Sequence, residues 1–159
     1  MKSVLVIDDK DEVRTLIAAT LTRAGYAVRQ ARNGRDGILL ALEQKPDLIL
    51  CDVRMPEMDG YRMLAAIRGC RSTVDIPFIL MTGSVSREEF RRAMACGADD
   101  YLMKPFSRRD LLQAVESRLV RQSEGQAEVC RQIDEIPGHM VPQFSPESAP
   151  IRTSMAVAA

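Results

Sequence analysis

A chain of 159 residues, 46% hydrophobic and 28% charged with no tryptophan, has the size and composition of one globular domain and a tail. No apolar run approaches the ~20 residues of a membrane span, and the Val-Leu-Val-Ile run behind Met1-Lys2 is too short for a signal peptide, so a cytoplasmic location is expected. Net charge is zero, with 20 basic against 17 acidic residues in 1–121 and 2 against 5 in 122–159, a balance that makes no case for nucleic acid.

Ser3-Val-Leu-Val-Ile7 is apolar and stops at Asp8-Asp9, the pattern of a buried strand. Val13, Leu16, Ile17, Thr20 and Leu21 then recur at helical spacing, and Gly25 closes that helix. Tyr26 to Gln30 predicts a second strand, less apolar and therefore at a sheet edge. Asn33-Gly34 reads as a turn, and Ile38 to Leu42 as the apolar part of a second helix. Pro46-Asp47 introduces a third strand, Leu48 to Cys51, which again ends on an aspartate, Asp52. The loop from Val53 to Gly60 leads into a third helix carrying Met63, Leu64 and Ile67. Pro77 opens strand four, Phe78 to Met81, ending at Thr82-Gly83. Ser86, with Glu89 three residues on, has capping-box spacing for a fourth helix, and Gly97 lies past its end. Tyr101 to Met103 is strand five, ending at Lys104-Pro105. Ser107 and Asp110 start a fifth helix with Leu111, Ala114, Val115 and Leu119 on one face. Gly125 is expected to interrupt that helix. Val129, Ile133 and Ile136 suggest a further short amphipathic turn, and four prolines from Pro137 to Pro150 end regular structure, so 137–159 reads as largely disordered.

Five βα units in residues 1–121 predict an α/β domain, a doubly wound five-stranded parallel sheet covered on both faces. Residues 122–159 are expected to add a short helical extension and a mostly irregular tail or linker. The cysteines at 51, 70, 96 and 130 and the lone His139 fit neither a zinc site nor a disulfide framework. Free, mostly buried thiols are expected.

The polar residues fall where such a sheet does its chemistry, outside the carboxyl ends of the strands. Asp8 and Asp9 follow strand one, Asp52 strand three, Thr82 strand four and Lys104 strand five. Converging carboxylates repel one another unless a cation neutralises them. Hard oxygen donors with no histidine or thiolate suit Mg²⁺ (or Mn²⁺). Lys104 supplies a fixed positive charge and Thr82 a hydroxyl donor, the partners a phosphoryl group needs. A carboxylate is an established nucleophile for phosphoryl transfer.

Four stretches carry these residues: Val-Ile-Asp8-Asp9; Asp52-Val-Arg-Met-Pro-Glu-Met-Asp-Gly60; Met-Thr82-Gly; and Gly97-Ala-Asp-Asp-Tyr101-Leu-Met-Lys104-Pro-Phe. In this order, on these strand ends, they resemble the response-regulator receiver family of two-component signalling across residues 1–121. The resemblance implies a flavodoxin-like sheet of order 2-1-3-4-5, with Asp52 as phosphoacceptor. It implies Asp9 as a direct Mg²⁺ ligand, Asp8 as the carboxylate holding metal-bound water, and the backbone carbonyl of Arg54 as a third protein ligand beside Asp52. Thr82 and Lys104 match the pair that contacts the phosphoryl oxygens, and Tyr101 matches an aromatic switch that moves with Thr82. Lys104-Pro105 matches a bond usually cis in the family, and X-Pro bonds make that accessible. The side chains of Arg54 and Ser84 sit at positions that tune phosphoryl lifetime in relatives. The implied partners are a sensor histidine kinase or phosphotransfer protein and a downstream protein output partner, without direct nucleic-acid or membrane contact; a homodimer is compatible with the resemblance. Such a domain catalyses its own phosphorylation and dephosphorylation and is not a turnover enzyme.

Plainer roles compete at each position. Asp8 and Asp9 could cap the first helix, Thr82 could end a strand, and Tyr101 could be strand filler. Cys51 is expected to point away from Asp52 into packing, and Arg91, Arg92, Arg108 and Arg109, on helices where partners of the family dock, are read as a solvated face rather than as site residues. A haloacid-dehalogenase-type hydrolase would need a second aspartate where Arg54 stands. An FMN module would need a Ser/Thr/Gly loop where the acidic Asp8 to Glu12 run lies. An inactive docking module would keep the residues without the transfer. The output and the cognate kinase do not follow from these residues.

Overall fold

The computed structural model describes residues 1–83 and 86–134, the last ten as backbone only. Five strands, β1 Ser3–Ile7, β2 Ala27–Ala31, β3 Leu48–Asp52, β4 Phe78–Thr82 and β5 Asp100–Met103, alternate with helices α1 Asp11–Arg23, α2 Gly34–Glu43, α3 Gly60–Gly69, α4 Arg87–Ala95 and α5 Arg108–Asp134. All strand pairs are parallel and the order is β2-β1-β3-β4-β5, the doubly wound flavodoxin-like sheet expected.

Strand alternation builds two cores. Leu5, Ile7, Ile49, Cys51, Phe78 and Leu80 meet Ala41 of α2, Tyr61, Met63, Leu64 and Ile67 of α3, and Ala93 of α4. Val4, Val6, Leu48, Leu50, Ile79 and Met81 meet Ile17 and Leu21 of α1 and Leu111, Val115 and Leu119 of α5. β3 and β4 are buried at every residue, whereas β2, at the edge, is buried only at Ala31. Each fully buried Leu or Ile side chain contributes about 1.5–3 kcal/mol, and this rigid centre carries the site at its carboxyl end.

The helix starts follow the capping residues. Asp59 accepts the Arg62 N–H at 2.8 Å, and Ser86 accepts the Glu89 N–H at 3.0 Å. Ser107 and Asp110 form a reciprocal capping box: the Asp110 N–H donates to the Ser107 hydroxyl, and the Ser107 N–H donates to Asp110 Oδ2. Gly25 and Gly97 end α1 and α4 with φ of 91° and 85°, where a Cβ would be strained.

Four expectations are corrected. Asn33-Gly34 is the start of α2, not a free turn: Asn33 Oδ1 accepts the Asp36 N–H at 2.8 Å, a capping role that Asn fills as readily as a turn. β2 begins at Ala27 and ends at Ala31, one residue later than read, because it pairs with Ser3–Ile7 in that register. Gly125 does not interrupt α5, which stays helical to Asp134; a single helical glycine costs only about 1 kcal/mol relative to alanine. Among the described residues the thiols are not mostly buried: Cys51 is, but Cys70 and Cys96 sit half-buried at the ends of α3 and α4. By contacts the chain divides into Met1–Glu124, which holds the sheet, and Gly125–Ala159. The side chains of Val129, Cys130 and Ile133, together with Ser84, Ile136, His139 and the proline-rich stretch, lie outside the described residues. No helix among the described residues is long and apolar enough to cross a membrane.

Candidate functional site

The carboxyl ends of β1, β3, β4 and β5 meet at one edge of the sheet. Asp8 follows β1 directly and is fully buried; Asp52 is the last residue of β3 and 7% exposed; Thr82 ends β4 and is buried; Asp9 is exposed. One carboxylate oxygen from each of Asp8, Asp9 and Asp52 lies within 4.8 Å of the others. Lys104 follows β5, and its backbone N–H donates to the Thr82 carbonyl at 2.6 Å. Its ammonium donates to Asp8 Oδ2 at 2.6 Å and to Asp52 Oδ1 at 2.7 Å. The Lys104–Pro105 peptide is cis.

Backbone groups hold the two buried carboxylates in place. The Lys10 N–H donates to Asp8 Oδ1 at 2.9 Å and the Arg54 N–H to Asp52 Oδ2 at 3.0 Å. Asp8 and Asp9 do not cap α1, whose N-cap is Lys10 and has no side-chain bond. The loop after Asp52 turns back so tightly that a Cβ on Gly60 would lie 2.5 Å from the Asp52 carbonyl oxygen. Glycine is required there by close approach.

Burial holds the Asp52 carboxyl above its usual range; Lys104 and the Arg54 N–H oppose this, and the Asp8 charge adds to it. For Lys104, burial alone would lower the pKa, but Asp52 and Asp8 outweigh it and keep the ammonium charged. The Cys51 thiol is pushed well up, first by burial and then by the charge of Asp52 and Asp8, so it stays protonated on the opposite face of the sheet.

The donor set fits a hard divalent cation. It offers carboxylate oxygens and no histidine or thiolate. Three carboxylates against the one Lys104 charge leave two negative charges close together, the amount a divalent ion would neutralise.

Tyr101, on β5, is half-buried, with its ring edge-to-face against Phe90 of α4 at 6.1 Å between centroids. The structure thus brings Asp8, Asp9, Asp52, Thr82 and Lys104 together and sets Tyr101 beside α4. Two residues escaped the sequence reading. Arg14 of α1 donates to the Asp8 carbonyl at 2.7 Å and pairs with Asp11. Glu89 of α4 faces Arg54, with 3.8 Å between Oε1 and the guanidinium. Neither spacing is a motif, and Glu89 was legible only as a helix cap.

A family model for the response regulator receiver domain matches residues 4–116. The chain belongs to that family. Among curated relatives, the phosphate regulon transcriptional regulatory protein PhoB of Pseudomonas aeruginosa is 35% identical over 127 residues, covering 80% of this chain and 56% of that protein. The regulatory protein AtoC of Escherichia coli is 38% identical over 76% of this chain and 26% of its own length. This receiver chain spans about half the length of the first curated relatives it matches. Among solved structures, chemotaxis response regulator CheY4 of Vibrio cholerae superposes with a TM-score of 0.71 at 33% identity, covering 74% of this chain and 98% of that one. The signal receiver domain of a signal transduction histidine kinase from Syntrophus aciditrophicus gives 0.68 at 33% identity, over 79% and 92%.

Proposed function

We propose that this receiver takes a phosphoryl group on Asp52 from a sensor histidine kinase or phosphotransfer protein and relays the change to a protein output partner. The observation that carries the reading is the Lys104 ammonium seated between Asp8 and Asp52, with Asp9 beside them. A fixed cation beside a largely buried carboxylate is what an anionic phosphoryl donor needs on arrival. Asp52 attacks phosphorus in line with the leaving group. The new O–P bond forms as the donor's bond to phosphorus breaks, and the donor keeps that electron pair, with a proton if it is an imidazole. Lys104 exchanges its Asp52 oxygen for a phosphoryl oxygen, and the Thr82 hydroxyl donates to another.

Asp8, Asp9, Asp52 and the Arg54 carbonyl would hold Mg²⁺ (or Mn²⁺), with Asp8 acting through bound water. Bound there, the ion supplies charge neutralisation for phosphoryl oxygens. Tyr101 would follow Thr82 towards the phosphoryl group and so carry the change to the α4 side of the domain; such a shift needs differential contacts with the two states. The domain catalyses only its own phosphorylation and dephosphorylation. Its receiver portion is 1–121, with 122–159 as a short helical extension and a tail or linker, and it works in the cytoplasm.

The test is intact mass after incubation with acetyl phosphate and Mg²⁺. The wild type should gain one phosphoryl group, ~80 Da, and Asp52→Ala none. A wild type that never gains the mass with a verified donor would leave a docking module.

A further inference from the structure

We propose that Glu89 is a positioning residue for the acceptor site: it holds the Arg54 guanidinium aside in the resting domain and yields it when a phosphoryl group arrives on Asp52. The proposal rests on the reading of Asp52 as acceptor. Arg54 stands two residues after Asp52, and its own N–H is bonded to the acceptor carboxylate at 3.0 Å. The backbone of Arg54 is therefore pinned beside the reacting group, while its side chain, 71% exposed, is free to swing. The guanidinium sits 3.8 Å from Glu89 Oε1, close enough for attraction but too far for a hydrogen bond. Such a contact exchanges easily.

Glu89 itself is anchored. It lies in the first turn of α4, and its carbonyl accepts the Tyr61 hydroxyl at 3.3 Å. The Tyr61 ring in turn carries the Arg92 guanidinium 4.4 Å from its centroid, a second tie between α3 and α4. Among the described residues, Glu89 Oε2 is buried without a hydrogen-bond partner. A buried carboxylate oxygen left unpaired is costly, and the Arg54 guanidinium is a cation within ion-pair reach of the same carboxylate, through Oε1. A phosphoryl group on Asp52 would bring a charge of about −1.5 to −2 and three acceptor oxygens. Guanidinium binds such a group in bidentate fashion and more strongly than a single distant carboxylate. Arg54 then changes partner, and the first turn of α4 loses its tether to the acceptor loop.

The experiment uses the full chain as wild type, Glu89→Gln, Arg54→Ala and the double variant. Rates of phosphoryl gain from sub-saturating acetyl phosphate with Mg²⁺ are read by intact mass. In parallel, ¹⁵N relaxation at Arg54 Nε is measured without metal or donor. Glu89→Gln should speed phosphorylation by about threefold, the size of a typical exposed ion-pair coupling, and should make Arg54 Nε more mobile. In the Arg54→Ala background, the acceleration should fall by at least half. Equal acceleration in both backgrounds, no acceleration, or an Arg54 Nε indifferent to Glu89 would each overturn the proposal. If the wild type takes up no phosphoryl group, the acceptor reading fails, and the Arg54 mobility alone decides whether Glu89 restrains it.

Discussion

Asp52 is held at a cost, and the proposed acceptor role would account for it. Its carboxyl is buried and faces Asp8, so its folded-state pKa lies above the unfolded one. The folded chain therefore binds the extra proton between those two values, and stability falls as pH rises through that window. Above it, at neutral pH without metal, Asp52→Asn should melt higher than wild type, by about 3 °C for a gain on the order of 1 kcal/mol. Mg²⁺ should raise the wild-type midpoint and leave the variant's nearly unmoved, which scanning calorimetry would read directly. Substitution at Lys104 acts in the opposite direction. Lys104→Ala leaves Asp8 fully buried beside a second carboxylate with no cation, and should cost about 2 kcal/mol in urea unfolding, less than for a wholly buried pair because Lys104 is 21% exposed.

At the scale of elements, the far end of the sheet is fastened by Arg68 of α3. Its guanidinium donates to the carbonyls of Gly97, Val74 and Ile76 and to Asp99, and Asp99 accepts the Phe78 N–H at 2.7 Å. Arg68→Ala should cost about 2–3 kcal/mol in urea unfolding, since it strands several carbonyls at once, while phosphoryl uptake at the opposite edge keeps its rate. Gly60→Ala should do the reverse of sparing the site. Its new methyl would meet the Asp52 carbonyl, costing about 1–3 kcal/mol and slowing uptake together. Strands and caps were legible because their signals are local: Leu48 to Asp52 is an unbroken apolar run with a carboxylate at its end, and Ser107 with Asp110 is a cap by spacing alone. Arg68, Arg14 and Glu89 were not legible. Each acts through partners fixed by tertiary packing, and an arginine or glutamate on a helix has the same pattern whether it is solvated or clasped. Gly125 misled for a related reason, since its modest helical penalty was outweighed by the residues around it.

Over the whole molecule, the acid limit of stability should trace to few carboxylates. Burial works against the ionised form of Asp47, but the Ser3 N–H, Lys2 and the Ser3 hydroxyl outweigh it and hold the pKa down. A depressed carboxyl stabilises the fold fully above its unfolded pKa and loses that contribution as pH falls through its folded value. Asp47→Asn should therefore lower the unfolding free energy from urea titration at pH 7 by about 1 kcal/mol, and converge on wild type at the acid end of a pH series. The site depends on the whole fold in another way. Asp8, Asp52, Thr82 and Lys104 stand on or after four different strands, and the Lys104–Asp8 contact closes 96 residues of chain. During synthesis the ribosome releases the amino-terminal carboxylates first and the lysine last. A nascent or truncated chain lacking the fifth strand has every acidic residue of the cluster but not the ammonium that sits between them. If Asp52 is the acceptor, phosphoryl uptake has to wait for the fifth strand and Lys104, and a chain cut before Asp100 should gain no mass from acetyl phosphate.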